Sequence, residues 1–388
     1  MNSKNIKIFD TTLRDGQQAS GANLSILEKI KIAKFLDKLK VDIIEAGFPI
    51  SSKKEFLSVS KISGILKNSK ICSLARHNKR DIDSCIEAMK KSNNKRLHLF
   101  IATSDLHMKY KLNLNKTQVL DLIEDIMKYA RNKIDDIEWS CEDGTRSDPN
   151  FIVQCFQQAI KYGAKTINIA DTVGYTMPTE MHKLVKKVLN SVRGIEKCSL
   201  SVHCHNDLGM ATSNSLQAIM SGADQVECTI NGLGERAGNA ALEEVVMALE
   251  TRKDFYNKNT KINTQLLKKS SELVSKLSSF TVSKNKPIVG ENAFAHESGI
   301  HQHGVINKRE TYEIMDPKKI GHTTQINIGA QSGLKGVQYK LKSYNLEYKK
   351  IDLKKFLKFF KSKVKSLKIV DKSLLIKLHS EFIKQSNK

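Results

Sequence analysis

The sequence predicts an α/β fold: a closed (β/α)8 TIM barrel followed by a smaller, mainly helical accessory unit. Three observations predict it. Short β-branched runs alternate with amphipathic helical stretches about eight times, at intervals near 30 residues. The alternation stops after Thr251. Polar residues share the inward face of the later runs and gather at their C-terminal ends, where barrel enzymes keep their active sites.

The runs read as strands are 6–10, 42–48, 71–76, 97–103, 136–140, 166–171, 199–205 and 224–230. Each is short, apolar and bounded by turn-forming residues. Between them, 24–39, 116–130, 149–162, 178–192 and 239–251 show helical periodicity. A doubly wound open sheet is the alternative. The count of eight and the lack of a Gly-x-Gly-x-x-Gly after the first strand favour closure. The barrel is assigned to residues 1–278, with 266–277 as a further helix, and 279–388 to a linker and helical accessory subdomains. Pro287 and Gly290 mark the linker over 281–290. From Gly333 the chain is lysine-rich and helical, and 353–367 is a basic amphipathic helix. Such a stripe can lie on a membrane, but the preferred reading packs it on its own domain with its lysines reaching outward.

Composition excludes several classes. No apolar run approaches the roughly 18 residues needed to span a bilayer, and the first ten residues do not resemble a signal peptide. A cytoplasmic protein is expected, with no membrane partner. The seven cysteines are scattered and never spaced Cys-x-x-Cys, which fits a reducing compartment and excludes a zinc knuckle. Lys and Arg total 64 against 41 Asp and Glu, for a net charge of +23. That surplus invites a nucleic-acid reading. The lysines are spread along the chain, however, and aromatic residues are only 6%, too few for base-stacking platforms. No nucleic-acid partner is expected; the charge is read as a solvated surface that helps attract small anions.

The inward parity of the strands carries the functional signal. Glu138, Ser140 and Glu142 share one face, as do Asn168 and Thr172, His203 and His205, and Glu227, Thr229 and Asn231. Burying so many polar groups costs several kcal/mol unless they bind each other, water or a metal. His203 and His205 are two apart on a strand and point the same way, whereas Cys204 between them faces away. Asp15 follows the first strand and Asn239 closes a glycine-rich loop after the eighth, which is the first strand's neighbour in a closed barrel. Asp15, His203, His205 and Asn239 can therefore converge. One carboxylate, two imidazoles and an amide oxygen suit a borderline divalent ion, with manganese, zinc and magnesium all open.

Segments 9–16, 201–209, 232–239 and 298–304 resemble the 2-isopropylmalate synthase family. The Thr-Thr-Leu-Arg-Asp-Gly and His-Cys-His-Asn-Asp motifs mark a wider set of metal-dependent barrel lyases, aldolases and synthases. Gly-Leu-Gly-Glu-Arg-Ala-Gly-Asn narrows it to synthases that condense acetyl-CoA with a 2-oxo acid. The resemblance continues through 45–49, 140–143, 171–175 and 312–317. It implies that Asp15, His203, His205 and Asn239 bind the metal, manganese in preference to zinc or magnesium. The substrates implied are 3-methyl-2-oxobutanoate and, as co-substrate, acetyl-CoA. Arg14 would sit on the developing alkoxide, and Glu142, Ser140, His98 and Thr172 would line the oxo-acid pocket, Glu142 also being a catalytic candidate. His301 and Tyr312 resemble a pair that assists removal of a proton from the acetyl methyl group. The family also implies a homodimer whose accessory unit reaches the partner's barrel.

Plainer roles stand beside these: Glu142 as a buried partner of Arg14 or Arg146, and Tyr312 as a core tyrosine. A homocitrate or citramalate synthase would share the metal site, and a basic binding protein would explain the charge alone. The sequence departs from the family at His303, where Asp is usual. It also ends at Lys388, about where the family's leucine-binding regulatory domain begins. The expectation is that this domain is absent and that activity is insensitive to leucine.

Overall fold

The structure, a computed structural model, describes residues 4–367 and 370–386. Eight parallel strands close into a barrel in chain order: β1 (Lys7–Asp10), β2 (Ile43–Glu45), β3 (Lys70–Arg76), β4 (Lys95–Ala102), β5 (Ile137–Glu142), β6 (Thr166–Asp171), β7 (Ser199–Cys204) and β8 (Gln225–Cys228). Each is followed by a helix: α1 (Ile26–Leu39), α2 (Lys53–Ser63), α3 (Lys79–Ala88), α4 (Lys116–Arg131), α5 (Pro149–Lys161), α6 (Pro178–Ser191), α7 (Ala211–Ser221) and α8 (Leu242–Thr251). A further helix, α9 (Leu267–Ser278), follows. The chain divides into two compact units, Met1–Val282 and Ser283–Lys388.

Local chemistry starts the helices where they begin. Ser25 accepts from the Glu28 backbone and Glu28 accepts from that of Ser25, a capping box that opens α1. Asn115 and Gln118 do the same for α4. Strand β2 is shorter than the 42–48 expected. At Gly47 (φ +155°) a Cβ would lie 2.4 Å from Glu55 Oε2 and 3.2 Å from Val59. The chain passes close to α2 there, while the Gly47 carbonyl still accepts from the Leu74 backbone at 3.1 Å. Strand β5, by contrast, runs on to Glu142, and the 281–290 segment contains neither helix nor strand.

The outward face of the strands is apolar. Trp139 on β5 is fully buried and meets Phe156 of α5 edge-on, ring centroids 5.7 Å apart. The inward face is different. Phe9, Ile43 and Cys72 form a small apolar patch, and most of the rest is polar. Arg96 Nη1 donates to Glu138 (2.7 Å) and Gln225 (2.9 Å), and Gln225 Nε2 donates to Glu138 (2.7 Å) and Ser201 (2.9 Å). These bonds offset the desolvation of a barrel interior that stability alone would fill with aliphatic side chains.

Just past β3, His77 Nδ1 meets the Phe100 carbonyl at 2.9 Å while Nε2 accepts from the Trp139 indole, also at 2.9 Å. Burial pushes this imidazole down to about 4, against the raising effect of the Phe100 carbonyl. The folded state thus takes its proton later than the unfolded chain, so the stability His77 contributes is complete above pH 6.5 and drains as pH falls towards 4. The expected loss by pH 5 is about 2 kcal/mol. Urea midpoints at pH 7.5 and 5 measure it: His77→Gln, which keeps a donor and an acceptor but does not titrate, should flatten the difference. An equal slope in both proteins would contradict the assignment.

The second unit pairs Ala295–His296 with Gln325–Ile326 in a two-stranded parallel ladder. It adds α10 (Gly299–Asn307), α11 (Leu334–Ser343), α12 (Leu353–Val364) and α13 (Lys372–Ser386). Phe356, Phe360 and Val364, at helical spacing on α12, are buried in a core with Val337, Leu341, Leu375 and Phe382. The apolar stripe of the basic helix therefore faces its own domain. Residues 368–369 and 387–388 of the accessory unit lie outside the described residues.

Candidate metal centre and acid pocket

After β1 the chain turns tightly: the Thr11 carbonyl accepts from the backbone of Arg14 (3.0 Å), Asp15 (2.8 Å) and Gly16 (3.2 Å). That turn delivers Arg14 and Asp15 to the C-terminal mouth of the barrel. His203 comes from β7, and His205 follows it to make an isolated antiparallel bridge with Asn239. The glycines of the 232–239 loop are structural requirements. A Cβ at Gly234 would fall 2.5 Å from Asn239 Nδ2 and 3.0 Å from Asp15 Oδ1. One at Gly238 (φ +90°) would fall 2.1 Å from the Gly232 carbonyl oxygen.

The two Nε2 atoms of His203 and His205 face each other at 3.0 Å, and Asp15 Oδ2 lies 3.5 and 3.7 Å from them. Asn239 Nδ2 donates to Asp15 Oδ1 at 2.9 Å, while Asn239 Oδ1 is buried with no hydrogen-bond partner among the described residues. Two imidazole nitrogens, a carboxylate oxygen and an orphaned amide oxygen, all buried, form a donor set that fits a divalent cation. Glu227 Oε2 lies 3.0 Å from His203 Nδ1, off the line of a hydrogen bond. It is close enough to draw the proton to that side of the ring and leave Nε2 facing Asp15. Burial opposes charge throughout this cluster. Arg14 and the imidazoles nevertheless hold Asp15 well below the usual carboxylate range. Glu227 and Asp15 push His203 up to about 10, while burial and the charge on His203 push His205 down to about 3. One positive charge is thus held between two rings.

Beside this centre is a cavity of about 260 Å³, lined in part by Arg14, His98, Ser140, Glu142 and Thr172. Arg14 Nε donates to Glu45 (2.5 Å) and Nη1 to Asp15 (2.7 Å), with Glu227 3.9 Å from Nη2. Glu45 also meets His98 Nδ1 at 2.7 Å, His98 Nε2 meets Ser140 Oγ at 2.6 Å, and Asn168 donates to the same hydroxyl at 2.8 Å. Despite burial, Arg14 and His98 bring Glu45 down to about 2, so it is a carboxylate that fixes both cations. Leu74, Phe100 and Ala170 give the cavity its apolar lining.

Three expectations need correcting. Glu142 pairs with neither Arg14 nor Arg146: Arg146 binds Asp143, and Glu142 accepts from Lys111 with His107 3.8 Å away. Asn231 does not join the inward set. Its backbone is left-handed (φ +63°), and its side chain donates to the Ser271 carbonyl on α9 at 3.1 Å. Thr172 lines the cavity, its hydroxyl accepting from the Asp143 backbone at 2.9 Å. His301 and Tyr312 belong to the second unit, where their rings stack at 4.2 Å and 31°, both exposed. Tyr312 is therefore no core tyrosine. His303 is exposed on α10.

Sequence reasoning assigned no role to Glu45 or Lys111. Glu45 was open to discovery, since it lies on β2 at the parity of Ile43, an inward position. Lys111 had no such signal, because it is placed by a π-helical turn, Met108–Leu112.

A parallel barrel with a buried Asp-His-His group at its mouth, beside a cavity sized for a small acid, defines the class: a barrel enzyme with a metal-binding group. Residues 5–274 match the HMGL-like family, and 288–368 match the homocitrate synthase post-HMGL domain-like family. The chain is 49% identical over 382 residues to the 2-isopropylmalate synthase of Aquifex aeolicus, covering 98% of this chain and 74% of that protein. It is 51% identical over 360 residues to that of Pyrococcus furiosus, covering 92% and 72%. The chain belongs to the 2-isopropylmalate synthase family. The crystal structure of hydroxymethylglutaryl-CoA lyase from Pseudomonas aeruginosa, 20% identical, shares the fold with a TM-score of 0.60, covering 73% of this chain and 96% of that one.

Proposed function

We infer that the protein condenses acetyl-CoA with 3-methyl-2-oxobutanoate and hydrolyses the thioester, releasing CoA and 2-isopropylmalate. The observation that carries this is its near 50% identity to 2-isopropylmalate synthases over almost the whole chain. The cavity agrees with it: Arg14 and other polar groups line it for the oxo acid's carboxylate and ketone, and Leu74, Phe100 and Ala170 among them offer apolar surface for an isopropyl group.

The residues proposed to hold the divalent ion are Asp15, His203, His205 and Asn239, with manganese preferred over zinc or magnesium. Bound there, the ion supplies Lewis-acid polarisation of the substrate ketone. Arg14, pinned by Glu45, presents its guanidinium where negative charge develops on the former ketone oxygen. His98, Ser140 and Thr172 orient the oxo acid, and Glu142, held by Lys111, sits at the same cavity as an acid/base candidate. His301 and Tyr312, stacked and exposed, are proposed to help take the acetyl methyl proton. They would come from the second copy in a homodimer. General-base help is worth roughly 10²–10⁴ in rate, so losing His301 slows turnover without abolishing it. Among the described residues no helix is long and apolar enough to cross a membrane. A cytoplasmic reaction is part of the same proposal and rests on the likeness to 2-isopropylmalate synthases.

Release of free CoA thiol with a panel of oxo acids tests this reading. 3-Methyl-2-oxobutanoate should exceed pyruvate and 2-oxoglutarate in kcat/KM by at least about tenfold, the worth of an apolar pocket filled or left empty. Preference for 2-oxoglutarate would make the protein a homocitrate synthase and overturn it.

A further inference from the structure

We propose a second ligand site at the opposite end of the barrel, for a small polyphosphate anion of the inorganic pyrophosphate class. The N-terminal ends of β1, β3 and β4 and the chain after α1 border a cavity of about 460 Å³. Lys7, Lys40, Lys70, Arg96 and Lys261 line it, against one lining carboxylate, Asp42.

The built element is Arg96, whose side chain is only 4% exposed. Its Nε donates to Asp136 Oδ1 (2.9 Å), and its Nη1 donates to both Glu138 (2.7 Å) and Gln225 (2.9 Å). A guanidinium has five N–H donors in a rigid fork. Three are committed inside the barrel; Nη2 carries the other two, has no hydrogen bond to a described residue, and belongs to a side chain lining this cavity. Asp136 also pairs with Lys70, so one carboxylate holds both cations in place.

The remaining charges are lightly compensated. Lys7 Nζ donates to the neutral Ser199 hydroxyl at 3.1 Å. Lys261 lies 3.7 Å from Asp42, whose other oxygen accepts from the Ile8 backbone at 2.9 Å. Lys40 follows α1 in a left-handed conformation (φ +63°) and makes no ion pair with a described residue. A cavity this size, with an arginine on its wall and lysines around it, calls for more than one anionic group on a single ligand. Linked phosphates meet that need, and the planar fork of Arg96 suits their oxygens. The strands separate this site from the catalytic mouth, so the same protein can be assayed for both.

Calorimetric titration of the full chain, treated with EDTA and held near 0.15 M ionic strength, with sodium pyrophosphate tests the proposal. The expected result is saturable binding at one site per chain that acetyl-CoA does not displace. Lys40→Glu combined with Lys261→Glu should weaken it at least about tenfold while leaving CoA-thiol release unchanged. These lysines are used because Arg96→Gln would strip a buried carboxylate of its partner and endanger folding. Undiminished binding in the double variant, displacement by acetyl-CoA, or heats matched by KCl of equal ionic strength would each overturn the proposal.

Discussion

Replacing His203 with alanine is expected to lower turnover about a thousandfold or more, and to remove the bound divalent ion with it. The imidazole is buried between Glu227 at 3.0 Å and Asp15 at 3.5 Å, with His205 Nε2 3.0 Å from its own Nε2. Losing a ligand forfeits the several kcal/mol that Lewis-acid polarisation supplies, and each 1.36 kcal/mol is a factor of ten in rate. The variant also leaves Glu227 buried beside a void, so circular dichroism must show that it folds. His205→Ala keeps the Glu227 contact and serves as the second variant. Metal content after dialysis against manganese, measured beside CoA-thiol release, separates lost metal from lost structure. Near-normal turnover of His203→Ala after chelation and metal add-back would contradict the assignment.

The second large effect belongs to Arg14. Its charge is held between Glu45, Asp15 and Glu227, which raise its proton affinity although burial works against it. It remains a cation at any working pH. Such a group acts most on charge that appears only in the transition state. Arg14→Gln should therefore cost about 10²–10³ in kcat with little change in KM for the oxo acid. Glu45→Gln should cost less, about 10–100-fold, because it loosens Arg14 and His98 without removing either. A rise in KM alone for Arg14→Gln would make the arginine a ground-state anchor instead.

The barrel was readable because its physics is periodic. Eight apolar runs at regular spacing imply eight parallel strands, and side-chain alternation alone puts His203 and His205 inward and Cys204 outward. Strand closure then made Asp15 and Asn239 neighbours of the pair. What stayed hidden depends on contacts across strands or on irregular backbone. Glu45 is 31 residues from Arg14, and no local pattern says which carboxylate an arginine meets. Lys111 reaches Glu142 from a π-helical turn that periodicity does not announce. Asn231 fits the alternation of β8, but its positive φ turns it to α9. Similarly, Gly47 just past β2 must skirt Glu55, a constraint between elements that neither one carries alone.

Stepwise addition of manganese to the EDTA-treated protein, followed by CoA-thiol release with 3-methyl-2-oxobutanoate, bears most directly on whether Asp15, His203, His205 and Asn239 serve one ion. Thiol release should be absent without metal and rise to a plateau at one equivalent per chain, with no plateau in His203→Ala. Undiminished release from the metal-free protein would contradict it.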